Sequence, residues 1–196
     1  MPVNETTPSW DALFAEATTQ HGNFTAGQAV DHGISRQLLQ KYLANGQIRR
    51  VLRGVYAFNR YPAHEHAGLA AFWLWSRRQG VYSHLTALAL QELSDILPTV
   101  TTMTLPSSWR ARRLRTPEEL TVYWGDVPTT DVRWLEAVPL TSPFRTIRDC
   151  IDAHVSPEII EDAIADASGS RQITEAEAAE LRLALEFSYA RSEHAT

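Results

Sequence analysis

The chain has 196 residues, a formal net charge of −5 and 44% hydrophobic residues. That is enough apolar material for one large domain or two small ones with a real core, and it excludes a disordered or fibrous chain. The single cysteine, Cys150, excludes an internal disulfide and fits a reducing cytoplasm. Met1 to Pro8 is polar without a basic leader, and no run of about 18 apolar residues occurs, so neither a signal peptide nor a membrane span is expected.

In chain order, Ser9 caps an expected helix from Trp10 to Gln20, with Trp10, Leu13, Phe14 and Ala17 at helical spacing. Thr25 is the N-cap expected for Ala26 to His32, which Gly33 ends. Ser35 caps the next helix, Arg36 to Asn45, which Gly46 closes. Leu38, Leu39, Tyr42 and Leu43 form its apolar stripe, and Arg36, Gln37, Gln40 and Lys41 fall on the opposite side. The period then changes. Gln47 to Leu52 and Val55 to Phe58 have strand composition, with Arg53 and Gly54 as the turn between them. Ile48, Val51, Val55 and Tyr56 are expected to pack on the helices, leaving Arg49, Arg50 and Arg53 at the edge or tip. Helix, tight turn, helix and basic hairpin are the plan of a winged helix-turn-helix, whose second helix enters the DNA major groove. From His21 to Tyr61 six basic residues face the single acid Asp31, within a chain that is acidic overall. Arginine and glutamine can pair with guanine and adenine edges, and a wing arginine suits phosphate or minor-groove contact. The competing readings are a solvated helix face and a basic hairpin on a protein-binding module.

Arg60, Tyr61 and Pro62 mark the joint to a second half. His64 to Gln79 reads as a helix, and a further one runs from its cap Ser83 to Leu97 and Pro98. Thr99 to Leu105, Leu120 to Trp124 and Val132 to Leu140 have strand composition. Serine–proline pairs open helices at Pro143 to His154 and Glu158 to Ala167, and Thr174 with Glu177 is a capping box for a last helix to Ser188. The expected fold class is α+β: a winged helix-turn-helix over residues 1–61, then a mixed α+β domain over residues 62–196 with a small sheet and several helices. Arg110, Arg112, Arg113 and Arg115 cluster on an expected hairpin loop. They are a candidate second phosphate patch beside the wing, or a solvated loop. From Ile147 onward there are 11 acids against Arg148, Arg171, Arg182 and Arg191. That tail is unsuited to DNA; it serves solubility or faces a basic protein surface.

Chemistry finds little support. The expected helix would separate His64 and His66 onto different faces, so no metal is expected. Lys41 is the only lysine, which denies a carboxylate–lysine nuclease its lysine. Ser83 and His84 would point apart on a helix, there is no glycine-rich phosphate loop, and Cys150 reads as a buried structural thiol. No enzyme activity and no cofactor are expected.

Three strings carry a family resemblance: GISRQLLQKYLANG, IRRVLRGVYAF, and VYSHLTALALQEL from Val81 to Leu93. The first two resemble the N-terminal winged helix of the AbiEi family, antitoxin-repressors of AbiE-type toxin–antitoxin pairs. The third is similar to that family's "SH-x-SAL" helix, with Thr86 where the family has serine. The chain is short for that family. The resemblance implies a cytoplasmic repressor that binds operator DNA at inverted repeats and counteracts a nucleotidyltransferase-like toxin, directly or indirectly. It implies DNA contacts from Ser35, Arg36, Gln37, Gln40 and Lys41, with Arg49, Arg50 and Arg53 on the wing. Two other readings stay open: a toxin-binding protein with little DNA binding, and a ligand-responsive winged-helix regulator unrelated to a toxin.

Overall fold

The computed structural model describes residues 9–193; the polar stretch Met1 to Pro8 lies outside the described residues. Two compact units emerge, one of residues 1–79 with 136–138, the other of residues 80–135 with 139–196.

The first unit begins with helix α1 (Trp10–Thr18), whose first turn is capped by the Ser9 hydroxyl accepting from the Ala12 N–H at 3.2 Å. A short strand β1 (Asn23–Thr25) follows, then α2 (Ala26–Asp31), α3 (Arg36–Ala44), β2 (Ile48–Leu52), β3 (Val55–Phe58) and α4 (Ala67–Trp75). The expected two-stranded wing is a three-stranded sheet in the order β1-β3-β2. Strand β1 escapes a sequence reading because three residues have no period of their own; pairing of Phe24 with Tyr56 defines them. Thr25 caps α2 as a full capping box: its hydroxyl accepts from the Gln28 N–H, and the Gln28 side chain accepts from the Thr25 N–H. Gly33, at φ 75°, turns the chain between α2 and α3, and Gly54, at φ 82°, closes the β2–β3 turn. The core is Leu13, Ala17, Phe24, Ala29, Ile34, Leu39, Ile48, Tyr56 and Phe58. Trp10 and Phe14 meet Phe58 edge-on at 4.9 and 5.0 Å between ring centres. Helix α4 starts three residues later than expected, so His64 and His66 precede it.

The second unit runs β4 (Val81–Tyr82), α5 (His84–Leu90), β5 (Thr101–Leu105), β6 (Leu120–Trp124), β7 (Val132–Leu135), β8 (Val138–Thr141), α6 (Pro143–Asp152), α7 (Pro157–Gly169) and α8 (Glu175–Glu193). Its sheet has the order β6-β5-β4-β8-β7. Strand β4 is antiparallel to β5 and parallel to β8, and β5 is parallel to β6. Three expectations change here. Val132 to Leu140 is two strands, interrupted at Glu136 and Ala137. The helix after Ser83 stops at Leu90 rather than near Leu97. The arginine-rich loop joins parallel strands, so it is a crossover running back along the sheet rather than a hairpin loop. Pro143 and Pro157 open α6 and α7, and Thr174 with Glu177 forms the capping box of α8. Leu88, Ile147, Ile151, Ile160, Ile164, Leu181 and Leu185 are at the centre of this unit's core. Cys150 is buried there, and burial pushes its thiol up to about 12, as befits a structural residue.

Candidate nucleic-acid interface

Helix α3 is built to show one face. Its cap is the Ser35 hydroxyl, which accepts from the Leu38 N–H at 3.2 Å. Leu39 is its fully buried side chain, and Leu38, Tyr42 and Leu43 pack partly against the same core. Arg36, Gln37, Gln40 and Lys41 are all exposed, and Ser35 is exposed beside them. Gln37, Gln40 and Lys41, three and four residues apart, form one continuous row, with Arg36 and Gln40 also four apart. The row is polar because the opposite stripe is used up by the core.

A polar network joins α2 to α1. Glu16 on α1 accepts from the Gln28 side chain at 2.6 Å and pairs with His32 at 2.8 Å. Arg78 donates to Gln20 at 2.7 Å and to Glu16 at 3.3 Å. Burial raises the Glu16 carboxyl, and the hydrogen bonds from Gln28, His32 and Arg78 outweigh it, so its pKa ends below the ordinary value. The carboxylate thereby stays charged and ties both ends of α2 to α1. Sequence reasoning missed this network. Glu16, Gln28 and His32 are far apart in spacing, though Gln28 three residues after Thr25 was a visible capping-box signal.

Strand β2 is the free edge of the first unit's sheet. Arg49 and Arg50 are adjacent on it and exposed, so they leave the strand toward opposite faces. Arg49 donates to Asn59 at 3.2 Å. A register shift between Arg50 and Leu52 bends the strand toward its tip, where Arg53 is exposed. Arg53 and one of the two strand arginines can therefore serve a common surface, while the other faces away. Arg60 is separate from this set, its guanidinium lying over the Phe14 ring at 3.9 Å.

Arg110, Arg112, Arg113 and Arg115 are exposed in the second unit's crossover. Arg112 lies over the buried Trp109 ring at 4.2 Å, which pins one end of the loop.

The structure brings together two groups that sequence spacing kept apart. Because His64 and His66 precede α4, the helical-face argument no longer applies to them. His21, His64 and Glu136 gather their ligand atoms within 4.8 Å. The His21 and His64 rings, however, stack in parallel at 3.9 Å and 10°. One ion cannot lie in the plane of both rings at that spacing. The Nδ1 of His64 also accepts from the His66 N–H at 3.2 Å, which leaves the proton of the neutral ring on Nε2. The donor set as arranged does not fit a metal. Burial, ahead of every neighbouring group, holds His21 below the usual histidine range, against the pull of Glu136. The second correction concerns Ser83 and His84. They do not point apart: His84 Nδ1 lies 2.8 Å from the Ser83 hydroxyl, which in turn meets the Thr104 hydroxyl at 2.7 Å. The serine is fully buried, so the contact anchors the β4–α5 bend rather than presenting a nucleophile.

Residues 11–59 match the family described as "Transcriptional regulator, AbiEi antitoxin". That segment runs from the second residue of α1 through β3 and holds every candidate residue of α3 and the wing, and the family is the one the sequence motifs resemble. The family is one of regulators and antitoxins, not of enzymes. No curated protein matches the chain. The fold is similar to the crystal structure of the RV2827C protein from Mycobacterium tuberculosis, with TM-score 0.52 and 15% identity over 90% of this chain and 75% of that one. At that identity the likeness is one of fold. Among the described residues no helix is long and apolar enough to cross a membrane.

Proposed function

We propose that the protein is an operator-binding repressor and antitoxin that acts in the cytoplasm without catalysis of its own. The observation that carries this is the exposed polar row of α3 beside the arginine-bearing edge strand β2, inside the segment that matches the regulator family. In this reading Arg36, Gln37, Gln40 and Lys41 read base edges in the major groove, and Ser35 contacts the adjacent phosphate while it caps the helix. Arg53, with Arg49 or Arg50, grips the flanking backbone. The exposed arginines 110, 112, 113 and 115 add a second, sequence-independent phosphate contact. Residues 1–61 thus carry DNA recognition and residues 62–196 the antitoxin part. Inverted repeats supply two sites per operator, and a nucleotidyltransferase-like toxin is the expected partner.

Binding of the upstream promoter DNA by fluorescence anisotropy tests the DNA half. Arg36→Ala with Gln40→Ala removes two groups capable of paired base contacts, each worth about 1–3 kcal/mol, and is expected to weaken operator binding by about 100-fold or more. Unchanged affinity refutes the assignment of α3. Co-expression with the neighbouring open reading frame tests the antitoxin half: a toxic neighbour is expected to be neutralised, and failure to rescue it leaves an ordinary regulator.

A further inference from the structure

Helix α8 is apolar on two sides. Ala178, Leu181 and Leu185 are buried in the core of the second unit. Opposite them, at steps of three and four residues, run Ala176, Ala179, Leu183, Phe187 and Ala190, all exposed. Leu183 is 54% exposed and Phe187 66%. The core accounts for the first stripe and not for the second. A surface helix carries polar residues opposite its buried stripe, and a helix apolar all round is one covered all round. A contiguous apolar stripe with a polar border marks a surface that another molecule covers. Phe187 also stands at a groove of about 480 Å³ between α8 and α6, whose apolar lining is completed by Ile151 and Ala184. The stripe therefore continues into a recess that can take a large side chain.

The border of the stripe is acidic. Glu180 and Glu186 lie three residues before and after Leu183, one on each side of the stripe, and Glu175 lies near its start; all three are exposed. With Asp152 and Glu161 they make five acids against the two bases Arg148 and Arg182, a local charge of 2 − 5 = −3. Both bases are engaged. Arg148 pairs with Glu180 at 3.5 Å and with Asp152 at 3.9 Å, and Arg182 pairs with Glu161 at 3.9 Å.

This charge decides what can cover the stripe. Nucleic acid is repelled by it. Helices that lie on membranes carry lysine and arginine along their borders, and this one carries glutamate. A second copy of the chain fares no better. Seated antiparallel about Leu183, it sets Glu180 of each copy opposite Glu186 of the other; seated parallel, it sets each glutamate beside its own twin. Both arrangements press like charges together. A partner with basic borders removes the repulsion and keeps the apolar contact.

We propose that the outer face of α8, with the groove beside it, docks an apolar helix of a protein partner that carries lysine or arginine along both of its borders. Leu183 and Phe187 anchor that helix, and Glu180 and Glu186 fix its place along α8. The inference requires neither the DNA contacts of α3 nor that the partner be a toxin, so each reading can fail alone.

The test uses the full chain and fluorescence anisotropy of a labelled amphipathic helical peptide made of leucine and lysine. One control peptide has glutamate for lysine, and a second has glutamine for leucine. The leucine–lysine peptide is expected to bind saturably and the two controls to bind far more weakly. Leu183→Ser with Phe187→Ser should weaken that binding by about tenfold or more, through loss of two side chains buried on docking. Val30→Ser, which removes an exposed apolar residue of α2 (51% exposed), should leave it unchanged. Glu180→Gln with Glu186→Gln should weaken it by about threefold and flatten its salt dependence. The glutamine pair leaves the stripe intact and carries the test if the serine variant unfolds. No binding, equal binding of the glutamate peptide, or binding indifferent to these substitutions overturns the proposal. So does a dimer of the chain alone, seen in sedimentation equilibrium and abolished by the serine pair, which would make a second copy the occupant.

Discussion

The two units place their polar chemistry in opposite ways. In the first, Arg36, Gln37, Gln40, Lys41 and Arg53 stand on the outside of short local elements, held there because the other side of each element is spent on the core. In the second, His84 lines one cavity with Arg145 and Asp149, a pair four residues apart on α6 that satisfy each other. Surface chemistry of the first kind tolerates substitution in stability and responds in binding. Buried chemistry of the second kind couples stability to pH.

That contrast can be broken most forcefully from the core of the second unit. Ile147→Ala removes a fully buried side chain and is expected to cost about 2–5 kcal/mol in urea unfolding, with operator affinity of the folded protein retained. A matching loss of operator affinity under native conditions would mean that the two kinds of chemistry are not separate.

The next largest effect is acid sensitivity from His84. Its pKa is 6.5 unfolded and about 4 folded, so as pH falls the unfolded chain takes up a proton that the folded one refuses. Stability present above pH 6.5 is therefore lost between 6.5 and about 4, to a total of about 3 kcal/mol. His84→Asn, which accepts the left-handed backbone and does not titrate, is expected to flatten that slope in denaturation curves taken across the window. A slope that survives the substitution assigns the acid loss to the carboxylates instead.

Ser35→Ala comes third. It removes the cap of α3 and is expected to lower stability by about 1 kcal/mol. A larger drop in operator affinity than in stability would identify the hydroxyl as a phosphate contact as well as a cap. The smallest effect is that of Arg53→Ala: a reduction of about one in the slope of log K against log salt, with sequence preference unchanged. Altered preference among operator variants would move Arg53 from the backbone to a base edge.

The same division explains what could be read in advance. The three caps Ser9, Thr25 and Ser35, the turn at Arg53 and Gly54, the prolines opening α6 and α7 and the Thr174 capping box are all local signals, and the structure contains each. Strands β1 and β4 were not legible, since three and two residues become strands only through their partners. The parallel pairing of β5 and β6 was hidden for a related reason: composition marks a strand but carries no direction. Ser83 misled because a serine before an apolar run reads as a cap, whereas its hydroxyl is engaged by His84 and Thr104. Of the cluster around Arg145, the one readable trace was its spacing from Asp149, four residues on along the same helix.

Residues 136–138 cluster with residues 1–79, although the chain on both sides of them belongs to the other unit. Glu136 lies 3.3 Å from both His21 and His64. The first unit is therefore discontinuous in the gene. A fragment ending at residue 79, whether made by protease, by cloning or by a single recombination event, carries α3 but leaves behind the carboxylate beside these two histidines. Transplanting the complete unit takes two junctions, which makes it harder to exchange between proteins than its short sequence motif suggests.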